Sequence, residues 1–572
     1  MRMDSDTTRS RLTTQLDRLS AATWILLAAL LPFELKSPLI TLGPLAITNV
    51  ELTLYAVIAV WASRVLIARR LKWTPVHWAV LAWIAANVIS AVLAPTLRGE
   101  ALKFALRSAT GALVFFAAAD WAHDAKRIWP IALTLGLSTL VSASAGVIEV
   151  GVPSTVPVWL AFKTHVTVVG EVLRASGTFQ YANTAAMFWE AALPLGLAAL
   201  VGRDWPKSRR GSIGLAVAIM VVTLAIVLSA SRAALIGSAV ALLMVIGLNR
   251  GALRRWAAAT LMSLVVLTAA QVLLSPAIAA RFLAESDRAW YTAQIESAQP
   301  TLTLRADEIA TVPVTVTNTS VRTWPAGGST PVRVSYHWLK AQSPDMIVYE
   351  GLRTALPHDL PPGERVTIGL RVKAPTQAGA YRLQIDLTQE KVTWFSVRGA
   401  STAMLAVRVD EQTAAHASAP RPSAGPTGSA LSQPLPSQTR TELWRVAIEL
   451  WRTRPVFGIG PDNFRWTYGT YLGATAFDRT VTANSWYVET LVNTGLIGLA
   501  SLIGLGATLA WAAYRALRTR SASERPLIVG LSAALLAFAV HGVVDYFLPF
   551  TPTYGLFWLA AGLLTARAWS RP

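Results

Sequence analysis

The chain has 572 residues, of which 53% are hydrophobic and only 15% are charged, and it contains no cysteine. Because about a quarter of the residues of a soluble globular protein are charged, this composition indicates a membrane protein. The absence of cysteine excludes disulfides, zinc–thiolate sites and a thiol nucleophile. The net charge of +19 would suggest nucleic acid for a soluble protein. Here the basic residues cluster in short loops between apolar segments, which is a topology signal, so no nucleic-acid partner is predicted.

The chain opens on a polar, basic segment, residues 1–20, which lacks a cleavage signature and is predicted to be cytoplasmic rather than a signal peptide. Apolar runs of about 20 residues, the length that crosses a bilayer, follow it. We find about twelve such runs, near 21–42, 49–68, 75–94, 102–121, 128–149, 180–201, 212–230, 233–249, 256–275, 488–511, 527–546 and 552–568. They predict a polytopic α-helical membrane protein, with transmembrane helices 1–9 over residues 21–275 and helices 10–12 over residues 488–572.

Lysine and arginine are concentrated in alternate loops and at the end of the chain. After the second, fourth, sixth, eighth and tenth runs and at the end, they are Arg64, Arg69, Arg70, Lys72, Lys126, Arg127, Arg203, Lys207, Arg209, Arg210, Arg250, Arg254, Arg255, Arg515, Arg518, Arg520, Arg525, Arg567 and Arg571. All of them lie on one side if both termini are cytoplasmic, the side that basic loops prefer. We therefore predict a multi-pass protein with cytoplasmic termini and an extracytoplasmic insertion over residues 276–487.

Three basic residues are exceptions to this charge rule. Arg98, Lys103 and Arg107 lie outside or just inside the fourth apolar run, on the predicted outer side. Snorkelling to lipid phosphates accounts for such residues, and so does a functional role.

The insertion contains a region, residues 296–410, of short alternating runs rich in Val, Thr and Tyr. Runs such as VPVTVTNTSV and RVTIGLRVKA are separated by the turn signals PAGG, PPGE and TQAG, a spacing that predicts an all-β sandwich. The sequences around Trp324, Trp338 and Trp394 resemble a tryptophan-marked immunoglobulin-like module of bacterial surface proteins. The resemblance implies a binding or spacing domain.

Two segments flank this β-region. Residues 276–295 are predicted to be a connector. Residues 411–440 are rich in Pro, Ser and Ala, cannot bury a core, and are predicted to be a disordered linker. The remaining part of the insertion, residues 441–487, is too polar to span a bilayer and leads directly into an apolar run. We expect the catalytic part of the molecule in this membrane-proximal loop.

Four polar stretches meet at the predicted outer face although they are far apart in sequence. They are RASGTFQYAN (Arg174–Asn183), SASR (Ser229–Arg232), RPVFGIGPDNF (Arg454–Phe464) and NSWYVETLVNTGLIG (Asn484–Gly498). Arginines at a membrane edge serve as helix-end anchors or as ligands of an anionic substrate. Both interpretations are open for Arg232, which lies in a tight turn between two apolar runs.

In order and sidedness, these stretches resemble the O-antigen ligase and polymerase superfamily of membrane glycosyltransferases. The matching residues are Arg174, Gly177, Phe179, Asn183, Ser231, Arg232, Gly458, Gly460, Phe464, Tyr487, Gly495, Gly498, His541 and Asp545. The resemblance implies a GT-C-like fold in a bacterial inner membrane. It also implies transfer of a glycan from a polyprenyl diphosphate, undecaprenyl diphosphate in lipopolysaccharide synthesis, to a hydroxyl of a glycan, lipid or protein acceptor.

The implied chemistry assigns the arginines to the diphosphate. Negative charge grows on this leaving group in the transition state, and fixed guanidinium groups stabilise it by bidentate hydrogen bonds. Arg174 and Arg232 are the first candidates, with Arg454, Arg465 or Arg479 as a third. No Asp-x-Asp metal signature faces outwards, so we predict a mechanism without metal or cofactor.

The chain departs from the family pattern at the expected general base. Members usually carry a His immediately before the Asn that precedes a Tyr-Leu pair. Aligned back from Tyr487 and Gly495, that position in this chain is Asn484, which cannot accept a proton at neutral pH. The family Glu before the Gly is also replaced, by Asn493. The candidates for the missing base are Glu489, Asp478, Asp462, Asp545, His165 and His541. For Asp462, capping of the helix that follows GIGP is favoured over a catalytic role.

Two other classes of protein are compatible with these features. A non-catalytic glycan-binding or polysaccharide-assembly protein would explain both Asn484 and the added binding-type domain. A transporter would also be polytopic, but the sequence shows no pair of matching interrupted helices or internal repeats.

Overall fold

The computed structural model consists of a helical bundle, built from both ends of the chain, and a β-region between them. It describes residues 2–42, 45–68, 73–164, 166–169, 172–202, 207–275, 278, 287–297, 299–328, 331–342, 346–348, 351–390, 393–411, 440–471, 477 and 479–570. Residues 412–439 of the predicted linker and half of the connector 276–295 lie outside these residues.

The helices before the β-region are α1 (Arg2–Leu30), α2 (Asn49–Ala68), α3 (Pro75–Val92), α4 (Arg98–Trp121), α5 (Ala125–Gly151), α6 (Val156–Trp159), α7 (Ala182–Val201), α8 (Arg209–Leu228), α9 (Arg232–Leu248) and α10 (Gly251–Leu274). Those after it are α11 (Arg440–Thr453), α12 (Phe464–Tyr471), α13 (Trp486–Thr519), α14 (Arg525–His541) and α15 (Thr551–Trp569). Each of the twelve predicted apolar runs overlaps one of these helices.

In the described part of the chain, eight helices are long and apolar enough to cross a membrane: α2, α3, α4, α5, α7, α8, α10 and α13. Helices α9 and α14 are apolar but shorter. A polytopic membrane protein is therefore confirmed, whereas twelve transmembrane helices remain a prediction. Helices α7 and α15 are buried on nearly their whole surface, so they form the centre of the bundle.

Successive long helices run in opposite directions, so their connections alternate between two ends of the bundle. The loops after α1, α3, α5, α8 and α14 meet at one end, together with the segment that precedes α13. At the other end, described basic residues meet acidic partners: Arg64 and Arg127 both pair with Asp17, and Arg567 pairs with Glu524. Which end faces the cytoplasm is a prediction from the charge rule.

Helix α13 is interrupted near its start. Gly495 has φ 66° and ψ −163°, a combination that is essentially restricted to glycine. The loop before α12 compensates the broken helical hydrogen bonds: Gly460 N donates to Asn493 O at 2.9 Å, and Leu496 N donates to Pro455 O at 2.9 Å. The kink therefore fixes the loop that carries Asp462 against the membrane end of α13.

The strands of the chain are β1 (Ile40–Leu42), β2 (Leu45–Ile47), β3 (Val168–Val169), β4 (Val172–Leu173), β5 (Ala293–Ser297), β6 (Thr301–Arg305), β7 (Ile309–Asn318), β8 (Val332–Lys340), β9 (Met346–Val348), β10 (Thr354–Ala355), β11 (Arg365–Lys373), β12 (Gly379–Gln389), β13 (Thr393–Trp394) and β14 (Ala403–Asp410). Strands β1–β2 and β3–β4 form two small hairpins within the membrane portion.

Strands β5 to β14 form two sheets around one core. One sheet has the order β10-β8-β12-β14-β6, with β9 and β13 at its margins, and the other has the order β11-β7-β5. Alternate residues of β7 and β11 face inwards and share a core with Trp324, Trp338 and the inner face of β12. The β-region is thus packed from two layers, and its assignment as immunoglobulin-like remains a prediction.

Candidate active site

A cavity of about 710 Å³ lies at the end of the bundle that carries the loops after α1, α3, α5 and α14. Loops and helix ends from six parts of the chain line it. Its charged and amide-bearing side chains are Glu34, Lys36, Arg107, Arg174, Gln180, Asn183, Asp462, Arg465, Asn484 and Asp545. The cavity thus brings together residues from three of the four predicted stretches, and its lining contains both guanidinium groups and carboxylates.

Arg174 is held rigidly at the edge of this cavity. Its Nε donates to Ser229 O at 2.5 Å, and its Nη2 donates to Asn183 Oδ1 at 2.6 Å. The side chain is only 6% exposed. The guanidinium therefore links the RASGTFQYAN loop to the SASR turn, and its position is set before any ligand binds.

A buried ion pair supports the loop that carries Arg174. Glu149, at the end of α5, accepts from Lys163 Nζ at 2.5 Å and from Gly177 N at 2.7 Å. Burial lowers the pKa of Lys163, although its contact with Glu149 acts in the opposite direction. Gly177 has φ +52°, and a Cβ there would lie 2.7 Å from Ser142 O, so only glycine fits. Phe179 packs against Phe188 and Trp189.

The SASR turn positions a helix and leaves its arginine outside the cavity. Ala230 adopts φ +50°, and Ser231 caps α9 by accepting from Ala234 N at 3.4 Å. Arg232 is exposed and does not line the cavity. The turn contributes to the cavity through Ser229, which holds Arg174, and Arg232 lies three residues further along.

Asp462 and Arg465 form an ion pair in the cavity wall, with Oδ2 and Nη2 2.6 Å apart. Burial raises the pKa of Asp462 to about 6, against the opposing charge of Arg465. Asp462 has φ +64°, and its carboxylate contacts a side chain rather than the amides of α12, so it does not cap that helix. Its Oδ1 and the Nε of Arg465 have no hydrogen-bond partner among the described residues.

Asn484 lines the cavity, and Glu489 does not. Asn484 has φ +48°, a left-handed conformation that Asn tolerates better than most residues. Glu489, five residues later, is fully buried and accepts from Ala483 N at 2.6 Å and from Asn493 Nδ2 at 2.8 Å. Asn493 in turn accepts from Phe464 N at 3.0 Å. Glu489 thus holds the two loops that carry Asn484 and Asp462 together.

Asp545 reaches the cavity from the turn between α14 and α15, beside a buried histidine. His541 Nδ1 lies 2.8 Å from Glu190 Oε1, and His541 Nε2 lies 3.7 Å from Asp545 Oδ2. Glu190 and His541 are both completely buried, and Asp545 is 18% exposed. A line of three ionisable side chains thus leads from the centre of the bundle to the cavity.

Arg107 is a cavity residue that the motifs did not identify. Its Nη2 donates to Thr551 Oγ1 at 3.0 Å, and its guanidinium lies 5.6 Å from the Tyr554 ring centre. Its Nε has no hydrogen-bond partner within the described ranges. The signal that could have found it was its position on the outer side, against the positive-inside trend. Glu34 and Lys36, also in the lining, carried no signal in the sequence.

The other predicted residues lie outside the cavity. Arg454 is exposed and donates to Leu93 O at 3.3 Å, and Arg479 lies over the Trp466 ring at 5.1 Å. Tyr487 donates to Ala539 O at 2.8 Å. The glycines of GIG have structural roles, because Gly458 and Gly460 have φ +69° and +108° and lie against α13 and α4. His165 and Asp478 lie outside the described residues.

The lining is suited to an anionic ligand with hydroxyl groups. Arg107, Arg174 and Arg465 supply guanidinium groups, and Asp462 and Asp545 supply carboxylates that accept hydrogen bonds or a proton. Over the described ranges of the chain, no three His, Asp or Glu side chains are grouped so that they could hold a metal ion. The cavity can therefore bind a phosphate ester through arginine and a hydroxyl through a carboxylate.

Comparison with known families identifies one region. A family model described as O-antigen ligase matches residues 393–503, which include α11, α12, the first half of α13 and the cavity residues Asp462, Arg465 and Asn484. No curated protein matches the chain significantly. Over residues 393–503, the match confirms the resemblance to the O-antigen ligase family that the motifs indicated.

Proposed function

We propose that this protein transfers a glycan from a polyprenyl diphosphate to an acceptor hydroxyl at the extracytoplasmic face of the inner membrane, without a metal ion. The observation that carries this proposal is the convergence of three arginines and two aspartates on one cavity, next to the matched O-antigen ligase region. The acceptor is a glycan, lipid or protein hydroxyl.

The three cavity arginines are assigned to the diphosphate. Arg174 is fixed by two hydrogen bonds and Arg465 by its ion pair with Asp462, while Arg107 has an Nε without a described partner. Preorganised cations of this kind stabilise developing charge without reorganisation. They provide the positive charge that a metal ion supplies in other glycosyltransferases.

An apolar groove supports a lipid-linked donor. It has a volume of about 440 Å³ and lies between α13 and α14, with Phe557 and Leu564 among its lining residues. It begins at Trp486 and Tyr487, two residues after Asn484 of the polar cavity. A diphosphate bound in the cavity would therefore have its polyprenyl chain next to the groove.

The test is transfer from a polyprenyl-diphosphate oligosaccharide in proteoliposomes, with Arg465→Ala and Arg479→Ala as matched variants. Both arginines lie against the Trp466 ring, at 5.2 and 5.1 Å, but only Arg465 lines the cavity. We expect Arg465→Ala to lower the turnover rate about 100-fold or more and Arg479→Ala to change it only a few-fold. Equal effects of the two variants would contradict the assignment.

A non-catalytic glycan-binding role is the second candidate, favoured by Asn484 in the cavity position where the family His is expected. For a glycan-binding protein, we expect the donor to bind without glycan transfer. If wild-type protein binds the lipid-linked donor but forms no product with several acceptors, this second candidate replaces the first.

A further inference from the structure

Asp545 differs from the other cavity aspartate in its partners. Within the described residues it forms no ion pair with an arginine, and its neighbour is the buried ring of His541. We propose that Asp545 is the general base of the transfer reaction and that His541 and Glu190 are its positioning residues. The inference rests on the proposed function and replaces the base that Asn484 cannot supply.

One oxygen of the Asp545 carboxylate accepts a hydrogen bond, and the other faces the His541 ring without a hydrogen-bond partner among the described residues. Glu190 Oε1 accepts from His541 Nδ1 at 2.8 Å, which orients the ring so that Nε2 faces Asp545 Oδ2 at 3.7 Å. Tyr546 N donates to Asp545 Oδ1 at 2.8 Å. A base beside a side chain that a third group orients follows the general logic of catalytic triads, although here the base is a carboxylate and the histidine positions it.

Helix α9 leaves room for the buried Glu190. A Cβ at Gly237 would lie 2.8 Å from Glu190 Oε2, so a glycine is present where the carboxylate approaches the helix. An unpaired carboxylate in the centre of a membrane bundle is costly, and His541 is the described group that pairs with it. The packing of α9 and α14 around Glu190 therefore holds the Glu190–His541 pair in place, with His541 next to the cavity residue Asp545.

The position of Asp462 excludes it from the same role. In a displacement at an anomeric carbon that inverts its configuration, the attacking oxygen and the leaving group lie on opposite faces of the sugar ring. Asp462 is ion-paired with Arg465 at 2.6 Å, and the charge of Arg107 also reaches it, so it belongs to the diphosphate side. Asp545 has neither of these partners and is available on the acceptor side.

The acceptor O–H bond breaks and its proton moves to the Asp545 carboxylate, while the acceptor oxygen forms a bond to the anomeric carbon. The bond from that carbon to the phosphate oxygen breaks, and its electron pair leaves on polyprenyl diphosphate, beside the arginines. Asp545 then releases the proton to water in the cavity.

The electrostatic surroundings keep Asp545 ionised. Burial alone would raise the pKa of Asp545, but the nearby charge of His541 and the hydrogen bond from Tyr546 N outweigh it, and Arg440 acts in the same direction, so the pKa is lowered. A weak base suffices because the transition state at an anomeric carbon resembles an oxocarbenium ion, so the acceptor proton becomes acidic late in the step.

The first test is Asp545→Asn in full-length protein in proteoliposomes, with sodium azide as an alternative nucleophile. Azide carries no proton, so its attack on the anomeric carbon needs no base. We expect transfer to the hydroxyl acceptor to fall about 100-fold or more, donor binding to stay within a factor of two, and glycosyl azide to form with azide present. Retained transfer, lost donor binding or the absence of glycosyl azide would each overturn the proposal.

The positioning residues are tested by the pH profile with Glu190→Gln, which keeps the size of the side chain. This change removes the negative charge that stabilises the protonated form of His541, so Asp545 loses a neighbouring positive charge. The fall in transfer rate at low pH, where Asp545 becomes protonated, should therefore move to higher pH, with donor KM unchanged. An unshifted fall at low pH would overturn the positioning role. If the wild type makes no transfer product, the proposed function itself fails, which distinguishes the two failures.

Discussion

Arg465 Nη2 lies 2.6 Å from the Oδ2 of Asp462, a carboxylate that is 5% exposed. The pair links a cation of the cavity to the loop that the Gly495 kink fixes. Because burial raises the pKa of Asp462 to about 6, its charge is maintained at a cost in stability. This cost is the expected sign of a residue retained for the site rather than for the fold.

Replacement of Asp462 by Asn should therefore raise the thermal stability of the protein and weaken its interaction with the donor. Asn removes the buried charge and is favoured at φ +64°, so we expect the thermal midpoint at pH 8 to rise by roughly 1–2 °C. Because the folded pKa is raised, the wild type regains stability as the pH falls below about 6, and the difference should shrink towards pH 4. Donor KM should rise about tenfold, since Arg465 loses its orientation. A lower midpoint at pH 8, measured by differential scanning fluorimetry, would contradict this account.

Arg174 and Arg232 should respond differently to salt. Arg174 is buried and fixed, so we expect Arg174→Lys to lower kcat about 10- to 100-fold at any ionic strength, because Lys lacks the forked donors. Arg232 is exposed next to the turn that holds Arg174. We expect Arg232→Ala to raise donor KM at low salt, and the effect to fade near 0.5 M salt, where the Debye length is about 4 Å. A salt-independent loss of kcat in Arg232→Ala would show instead that this guanidinium enters the cavity.

Asn484→His should restore a base to the cavity. His is among the residues that tolerate positive φ, so the change should leave the fold intact. We expect Asn484→His to recover at least a tenth of wild-type transfer in the Asp545→Asn background, with a pH optimum near the imidazole pKa of about 6.5. Asn484→Ala in the same background is the control, and recovery by both changes would show that the imidazole is not acting as a base.

A large side chain in the apolar groove should raise KM for donors with a long polyprenyl chain more than for donors with a short one. Gly506 lines the groove, and Gly504 does not, although both face open space on α13. We expect Gly506→Phe to raise KM for a long polyprenyl donor several-fold while leaving a short-chain donor unaffected. Gly504→Phe is the matched control. Equal KM values for both donors in the Gly506 variant would place the lipid chain elsewhere.

Gly495→Ala should destabilise the protein at the kink. A Cβ there would lie 2.3 Å from Val456 O, and the residue has φ +66°, so strain of about 2 kcal/mol or more is expected. Gly504→Ala, in a regular turn of the same helix with no atom within 4 Å of its Cβ, should be neutral or slightly stabilising. The thermal midpoints of the detergent-solubilised proteins measure the difference, and similar midpoints for the two variants would contradict the role of the kink.

The sequence by itself determined the apolar helices, the alternation of the basic loops and the ordered motifs, because these depend on local composition and spacing. It also identified Arg174, Asp462, Arg465 and Asp545, which line one cavity. The prediction failed to separate residues that face the cavity from those beside it, since a motif does not show which way a side chain points.

Only the tertiary structure decided the remaining roles. Glu489 is two residues from Tyr487 in a family motif, yet it is buried against Ala483 and Asn493 and holds two loops together. Glu190 and His541 are 351 positions apart in sequence and 2.8 Å apart in space, because α7 packs against α14 at the centre of the bundle. Such contacts arise from helix packing over long separations, and no local pattern of residues encodes them.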